Sequence, residues 1–246
     1  MRGLKIAVIG SGSTYSPEIF EGLIKRRDIL SIKKVALMDI DDVKLEIVGG
    51  LIERMMKAWG IDAEIVKTKD LDLALDGADY VIAQIRVGRL PARALDERIP
   101  LKYDLIGQET TGIGGFFKAL RTIPEILHIA SRMEALCPQA VMINFSNPSG
   151  LIAQAVQNNS KIRMVGLCNI PINMFTEAKK QLGEDINIQY LGLNHLSWIT
   201  SVKKDGRELL PELFEKYKSE DMHNKYFRYC NGIPCGYLNY YYRRAA

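Results

Sequence analysis

The sequence predicts an α/β protein: a parallel sheet covered by helices on both faces, followed by a shorter α+β unit. Three observations carry this. Apolar strand-like runs alternate with stretches of helical spacing from the first residues to about position 181. A glycine-rich turn follows the first strand directly. Beyond Ile186 the texture changes to a strand pair.

The elements follow in order. Leu4–Ile9 is apolar except for Lys5, as a strand buried on both faces should be. Pro17–Lys25 reads as a helix, with Pro17 tolerated in its first turn. Val35–Asp39 is the second strand. Asp42–Trp59 places Leu45, Val48, Leu51, Ile52, Met55 and Met56 at helical spacing. Ala63–Val66 is a short strand, and Tyr80–Ile85 another after a short helix. Phe116–Leu136 is a long helix. Ala140–Phe145 and Met164–Leu167 are strands separated by the helix Pro148–Gln157, and Pro171–Gln181 is again helical. Ile188–Leu193 and Trp198–Val202 read as paired strands, followed by the turn signal Lys204-Asp205-Gly206. Residues 1–167 are assigned to the first domain and 168–246 to the start of a second, which reads as cut short.

Composition excludes several classes. A net charge of +4, without a basic run, gives no support to nucleic-acid binding. No apolar run reaches membrane-spanning length and no signal peptide precedes the first strand, so a cytoplasmic protein with reduced thiols is expected. The four cysteines show no disulfide or metal-knuckle framework, and Cys230 and Cys235 are read as incidental. His128 is read as structural from its helical spacing, and His223 as solvated.

The turn Gly10-Ser11-Gly12-Ser13-Thr14-Tyr15 lies between a strand and a helix, where a helix N-terminus receives phosphate. Gly10 permits the tight turn. Gly12 leaves room for a pyrophosphate, and Ser13 lies beside it. Tyr15 occupies the place of the usual third glycine. Asp39, ending the second strand, suits the adenosine ribose hydroxyls and repels a 2′-phosphate. A Rossmann-type domain that binds NAD rather than NADP follows.

Further along, Gly107–Gly115 is rich in glycine and hydroxyls. Asn144-Phe145-Ser146-Asn147-Pro148 and Cys168-Asn169-Ile170-Pro171 sit at strand C-terminal ends, where open α/β sheets bind ligands. Cys168 and His195 can together hold a borderline-soft divalent metal. The alternative for this pair is a small buried thiol and a hydrogen-bonded core histidine.

These pieces, with Ile99–Tyr103 and Gly192-Leu193-Asn194-His195, occur in the order found in glycoside hydrolase family 4, and the chain resembles that family along nearly its whole length. The resemblance implies a lactate/malate dehydrogenase-like fold with NAD and a divalent metal, usually manganese. It implies cleavage of a phosphorylated disaccharide or glycoside by oxidation at C3, loss of the C2 proton, elimination, water addition and re-reduction. By that resemblance Cys168 and His195 are metal ligands, and Tyr237 is the base, with Tyr240 and Tyr241 as rivals. Glu109 tunes the base, and Arg93 and Asn147 contact substrate, with Arg86 and Arg89 as alternatives for the phosphate. Asn169, which cannot protonate a leaving group, favours a 6-phospho-β-glucosidase. Full-length members are expected to be homo-oligomers. The other readings are an NAD-dependent hydroxy-acid dehydrogenase and an inactive NAD-binding fragment.

Overall fold

A computed structural model describes residues 3–216 and 231–242. A six-stranded, all-parallel sheet forms the centre of the first unit, with strand order β3-β2-β1-β4-β5-β6. Its strands are β1 (Leu4–Ile9), β2 (Ile32–Met38), β3 (Glu64–Thr68), β4 (Tyr80–Ala83), β5 (Val141–Asn144) and β6 (Arg163–Gly166). The order reverses between β1 and β4, so the C-terminal ends of these two strands open a crevice.

The uninterrupted apolar character of β1 has a direct cause. Ile6 and Val8 face α1 (Ser16–Ile24) and α2 (Asp42–Ala58), packing with Phe20, Ile24, Ile52 and Met56. Ala7 and Ile9 face the opposite layer, which holds α3 (Leu71–Leu75), α5 (Gly112–Leu136) and α6 (Ser149–Asn159). There Leu75, Ile126, Met133 and Ile152 are fully buried. Both faces of the strand are therefore removed from water, and no polar alternation is tolerated.

Among the differences from the sequence reading, three bear on the site. β2 begins at Ile32 and stops at Met38, which leaves Asp39 one step beyond the strand. A helix not marked by apolar spacing, α4 (Arg89–Leu101), precedes the glycine-rich loop. Only Asp96 and Pro100 are buried along it, so there is little apolar stripe to read. Asp96 is clamped by both terminal nitrogens of Arg121, at 2.8 and 2.5 Å, and this bidentate pair fastens α4 to α5. Finally, α5 starts at Gly112, so the glycine-rich loop ends in a first helical turn.

The second unit begins with α7 (Asn169–Leu182) and a β-hairpin, β7 (Asn187–Leu193) and β8 (Leu196–Lys204), whose turn is Asn194-His195. Two short strands, β9 (Arg207–Glu208) and β10 (Ile233–Pro234), pair with β8. The helix α8 (Leu210–Lys216) closes the small core of Ala178, Ile199, Val202, Leu213 and Ile233. The last described element is α9 (Leu238–Tyr242). Among the described residues, no helix is long and apolar enough to cross a membrane.

Candidate active site

The glycine-rich turn occupies the crevice between β1 and β4. Gly10 has φ of +86°, and a Cβ there would stand 2.7 Å from the Gln84 carbonyl oxygen, so only glycine fits. Gly12 is required by its own surroundings as well: a Cβ would lie 2.7 Å from Lys44 Cβ and 2.9 Å from Asp39 Oδ2. The Gly12 N–H donates to Asp39 Oδ2 at 2.8 Å, and the Asp41 N–H donates to Oδ1 at 2.9 Å. The carboxylate is thus fixed beside the turn, with lone pairs on both oxygens left for further donors. Ser13 Oγ accepts the Tyr15 N–H at 3.2 Å.

Two buried polar atoms near this turn have no protein partner: Ser11 Oγ and Gln84 Oε1. Unmatched polar groups in an interior are costly and call for a ligand or solvent. A dinucleotide, with its phosphate oxygens and hydroxyls, fits that demand chemically.

A second cluster assembles from four separate stretches. Cys168 occupies the N-cap position of α7 without a side-chain capping bond, two residues past the end of β6. His195 lies at the tip of the β7–β8 hairpin with φ of +64°, in the left-handed region that histidine enters more readily than most side-chain-bearing residues. Cys168 Sγ and His195 Nε2 are 3.3 Å apart. At that separation both atoms can reach one divalent ion with bonds of about 2.0–2.3 Å. Burial lowers the His195 imidazolium's pKa below its ordinary value, which favours the neutral, ligating form. No group of three or more His, Cys, Asp or Glu side chains capable of holding a metal occurs among the described residues.

Tyr237 is brought in by β10. The Cys235 N–H donates to the Ser197 carbonyl at 2.9 Å, which pins the segment against the start of β8. The Tyr237 ring then stacks on His195, with centroids 3.9 Å apart and planes 12° from parallel. Burial raises the phenol above its usual value; its hydrogen bond with Thr110 opposes this, while electrostatic interaction with Tyr240, Cys168 and Glu109 adds to it. Thr110 Oγ1 also lies 3.0 Å from His195 Nδ1.

Beside this cluster, Glu109 gathers three cations. Its Oε2 lies 2.6 Å from Arg86 Nη1, 2.9 Å from Lys118 Nζ and 3.4 Å from Arg93 Nε. Arg93 also pairs with Glu97 at 2.8 Å. Burial pushes the Glu109 carboxyl up, but hydrogen bonds and charge from Lys118 and Arg86 outweigh it and hold it below the usual carboxylate value. Burial also lowers the Lys118 ammonium, against the pull of Glu109. The side chains of Lys118 and Glu109 are only 5% and 14% exposed. Glu109→Leu would leave the lysine without its anion and is expected to cost about 3 kcal/mol, read from the urea midpoint at pH 7. Because the folded carboxyl value is depressed, its stabilisation is present above the unfolded value near ~4.5 and is lost as pH falls through the folded one. The variant should therefore show a shallower acid loss than the parent chain.

Asn147 is half-buried at the C-terminal side of β5. Its turn is sewn to β4 through Ser146: the Ile85 N–H donates to Ser146 Oγ at 2.9 Å, and Asn144 Nδ2 donates to the Ser146 carbonyl at 2.9 Å. Asn169 is exposed at the first turn of α7, next to Cys168. Arg89 pairs with Asp41 at 3.3 Å, beside the nucleotide turn rather than with Glu109. Tyr240 is 5.5 Å from Tyr237 between ring centroids and half exposed. His128, read as structural, is exposed on α5. Cys235 is buried, and Cys230 and His223 lie outside the described residues. Three residues of the cluster were given no role of their own in the sequence reading: Gln108 and Thr110, which lie within the Gly107–Gly115 loop noted there, and Lys118. A buried lysine in a long helix and a Gln-x-Thr-Thr run have no diagnostic spacing.

Residues 5–184 match the family model "Family 4 glycosyl hydrolase", and residues 190–246 match "Family 4 glycosyl hydrolase C-terminal domain". The chain belongs to glycosyl hydrolase family 4. A relative of this family 4 chain, the 6-phospho-beta-glucosidase of Escherichia coli (strain K12), is 41% identical over 98% of this chain and 58% of its own length. A solved structure of the 6-phospho-beta glucosidase from Thermotoga maritima, with manganese, NAD+ and glucose-6-phosphate, superposes with a TM-score of 0.90 at 38% identity. It covers 97% of this chain and 59% of the other. The lactate dehydrogenase of Cryptosporidium parvum shares the fold, with a TM-score of 0.63 at 17% identity over 88% of this chain and 63% of its own. The family 4 chain spans 58–59% of the length of the curated relatives it matches first.

Proposed function

We propose that this chain hydrolyses 6-phospho-β-glucosides, such as phosphorylated cellobiose, with NAD and a divalent metal as resident cofactors. The observation that carries the proposal is the Cys168–His195 pair, 3.3 Å apart, with Tyr237 stacked on the imidazole. Gly10, Gly12, Ser13 and Asp39 would hold NAD, and Cys168 and His195 the metal. When bound, these groups would supply reversible hydride transfer and positive charge for the sugar's hydroxyl oxygens.

Tyr237 removes the C2 proton in this reading. Burial keeps its phenol protonated until positive charge is brought beside it, and the stack on His195 places it next to the metal-binding pair. Arg86, Arg93 and Lys118, organised by Glu109, offer donors for an anionic sugar phosphate or its hydroxyls. Asn147 borders the same strand ends. Asn169, adjacent to Cys168, can orient the leaving group but cannot protonate it. That property, with the activity for which the relative from Escherichia coli is named, supports β- over α-glycosides.

A hydroxy-acid dehydrogenase would pair its histidine with a carboxylate. His195 contacts Thr110 and Cys168 instead. The deciding assay is cleavage of a chromogenic 6-phospho-β-glucoside with NAD and manganese, run with exchange of the C2 hydrogen in deuterated water. Cleavage and exchange without net NADH are expected. Absence of both responses overturns the proposal, and accumulation of NADH from a hydroxy acid supports the dehydrogenase.

A further inference from the structure

We propose that Gln108 is a positioning residue that sets the tautomer of His195, acting through Thr110, so that the Nε2 lone pair faces Cys168. The inference deepens the metal-site reading above and rests on it only for the use made of that lone pair.

The argument is a count of protons. The backbone N–H groups of Thr110 and Thr111 meet one side-chain atom of Gln108 at 2.6 and 2.8 Å. Backbone N–H groups can only donate, so that atom is the amide oxygen, whichever way the amide is drawn. The Thr110 hydroxyl lies 2.8 Å from the same oxygen, and the Thr111 hydroxyl 3.1 Å. An amide oxygen has no proton to give. Thr110 Oγ1 therefore directs its single proton to Gln108, and its lone pairs remain to accept, one from the phenol of Tyr237, its other side-chain partner, and one from a further donor.

His195 Nδ1 stands 3.0 Å from Thr110 Oγ1. With the threonine proton already placed, this contact is a hydrogen bond only if Nδ1 carries the hydrogen. A neutral imidazole protonated at Nδ1 has its lone pair at Nε2, the atom 3.3 Å from Cys168 Sγ. The opposite tautomer would set two lone pairs against each other at Nδ1 and Oγ1 and turn an N–H toward the metal position. His195 is 3% exposed and Thr110 and Gln108 are each 9% exposed, so water has little access to repair such a mismatch. Outer hydrogen-bond partners of metal-bound histidines typically change metal affinity by about 10–100-fold when removed.

The test uses the full 246-residue chain. Ring-nitrogen NMR of uniformly 15N-labelled, metal-free protein reads the tautomer, with the resonances of His128 and His223 identified by their Gln variants. Wild type is expected to show a protonated Nδ1 and an unprotonated Nε2 at His195. Gln108→Met, which keeps length and removes the acceptor, should lose that preference and weaken manganese binding by about 10–100-fold in titration calorimetry. Gln108→Glu retains the acceptor and should restore both readouts. A wild-type His195 protonated at Nε2 overturns the proposal, and so does a Gln108→Met chain that folds and keeps the Nδ1–H tautomer. A chain that shows the expected tautomer but cleaves no phosphoglucoside leaves this inference standing and removes the glycosidase reading.

Discussion

Tyr237→Phe is expected to lower phosphoglucoside turnover by about 10²–10⁴-fold, the range usually lost with a positioned general base. The substitution removes one oxygen and keeps the ring. The 3.9 Å stack on His195 should survive, so manganese and NAD binding should stay within a few-fold of the parent chain. The discriminating measurement is exchange of the C2 hydrogen, which isolates proton abstraction from the later elimination. Loss of exchange together with turnover identifies the phenol as the base. Retained exchange moves the role to Tyr240, whose ring is 5.5 Å away, or to Tyr241. The pH dependence should follow the same group. Burial raises the metal-free phenol above its ordinary value near ~10, so activity without added metal should be negligible at neutral pH.

Cys168→Ser is expected to weaken manganese binding by on the order of a hundredfold or more. Removing only an outer partner of a ligand already costs about 10–100-fold, and here a donor atom itself is replaced. A hydroxyl is a harder and far less acidic donor than a thiol, so the pair would lose its thiolate charge. The fold should tolerate the change, because Cys168 is only half-buried and lies outside the main apolar clusters. NAD affinity should be unaffected, since the glycine-rich turn belongs to a different pair of strands. Manganese titration followed by calorimetry checks both statements. An unchanged titration would remove Cys168 from the ligand set.

Much of the first unit was legible because burial on both faces writes itself directly into composition. β1 is apolar at consecutive positions since Ile6 and Val8 feed one layer while Ala7 and Ile9 feed the other. The turn after it was readable from Gly10, whose positive φ leaves little alternative. The helix α4 was not, because its fastening is ionic, Asp96 with Arg121 and Arg93 with Glu109, rather than an apolar stripe. The site divides along the same line. Cys168 and His195 were visible as residue types, yet their approach depends on β6 and the β7–β8 hairpin coming together, and no local spacing encodes that. Gln108 and Thr110 act through protons, and Lys118 through burial of its charge. Their importance exists only in three dimensions.

The hairpin tip has one more consequence. Cys168 leaves the last strand of the large sheet, whereas His195 belongs to the small one. An ion held by both donors binds only the state in which the two sheets are seated against each other. By mass action it would add RT ln(1 + [L]/Kd) to the stability of that seating, about 2.7 kcal/mol at a hundredfold excess over Kd. A chelator would withdraw the same amount. Metal supply would then govern the cohesion of this protein as well as its chemistry.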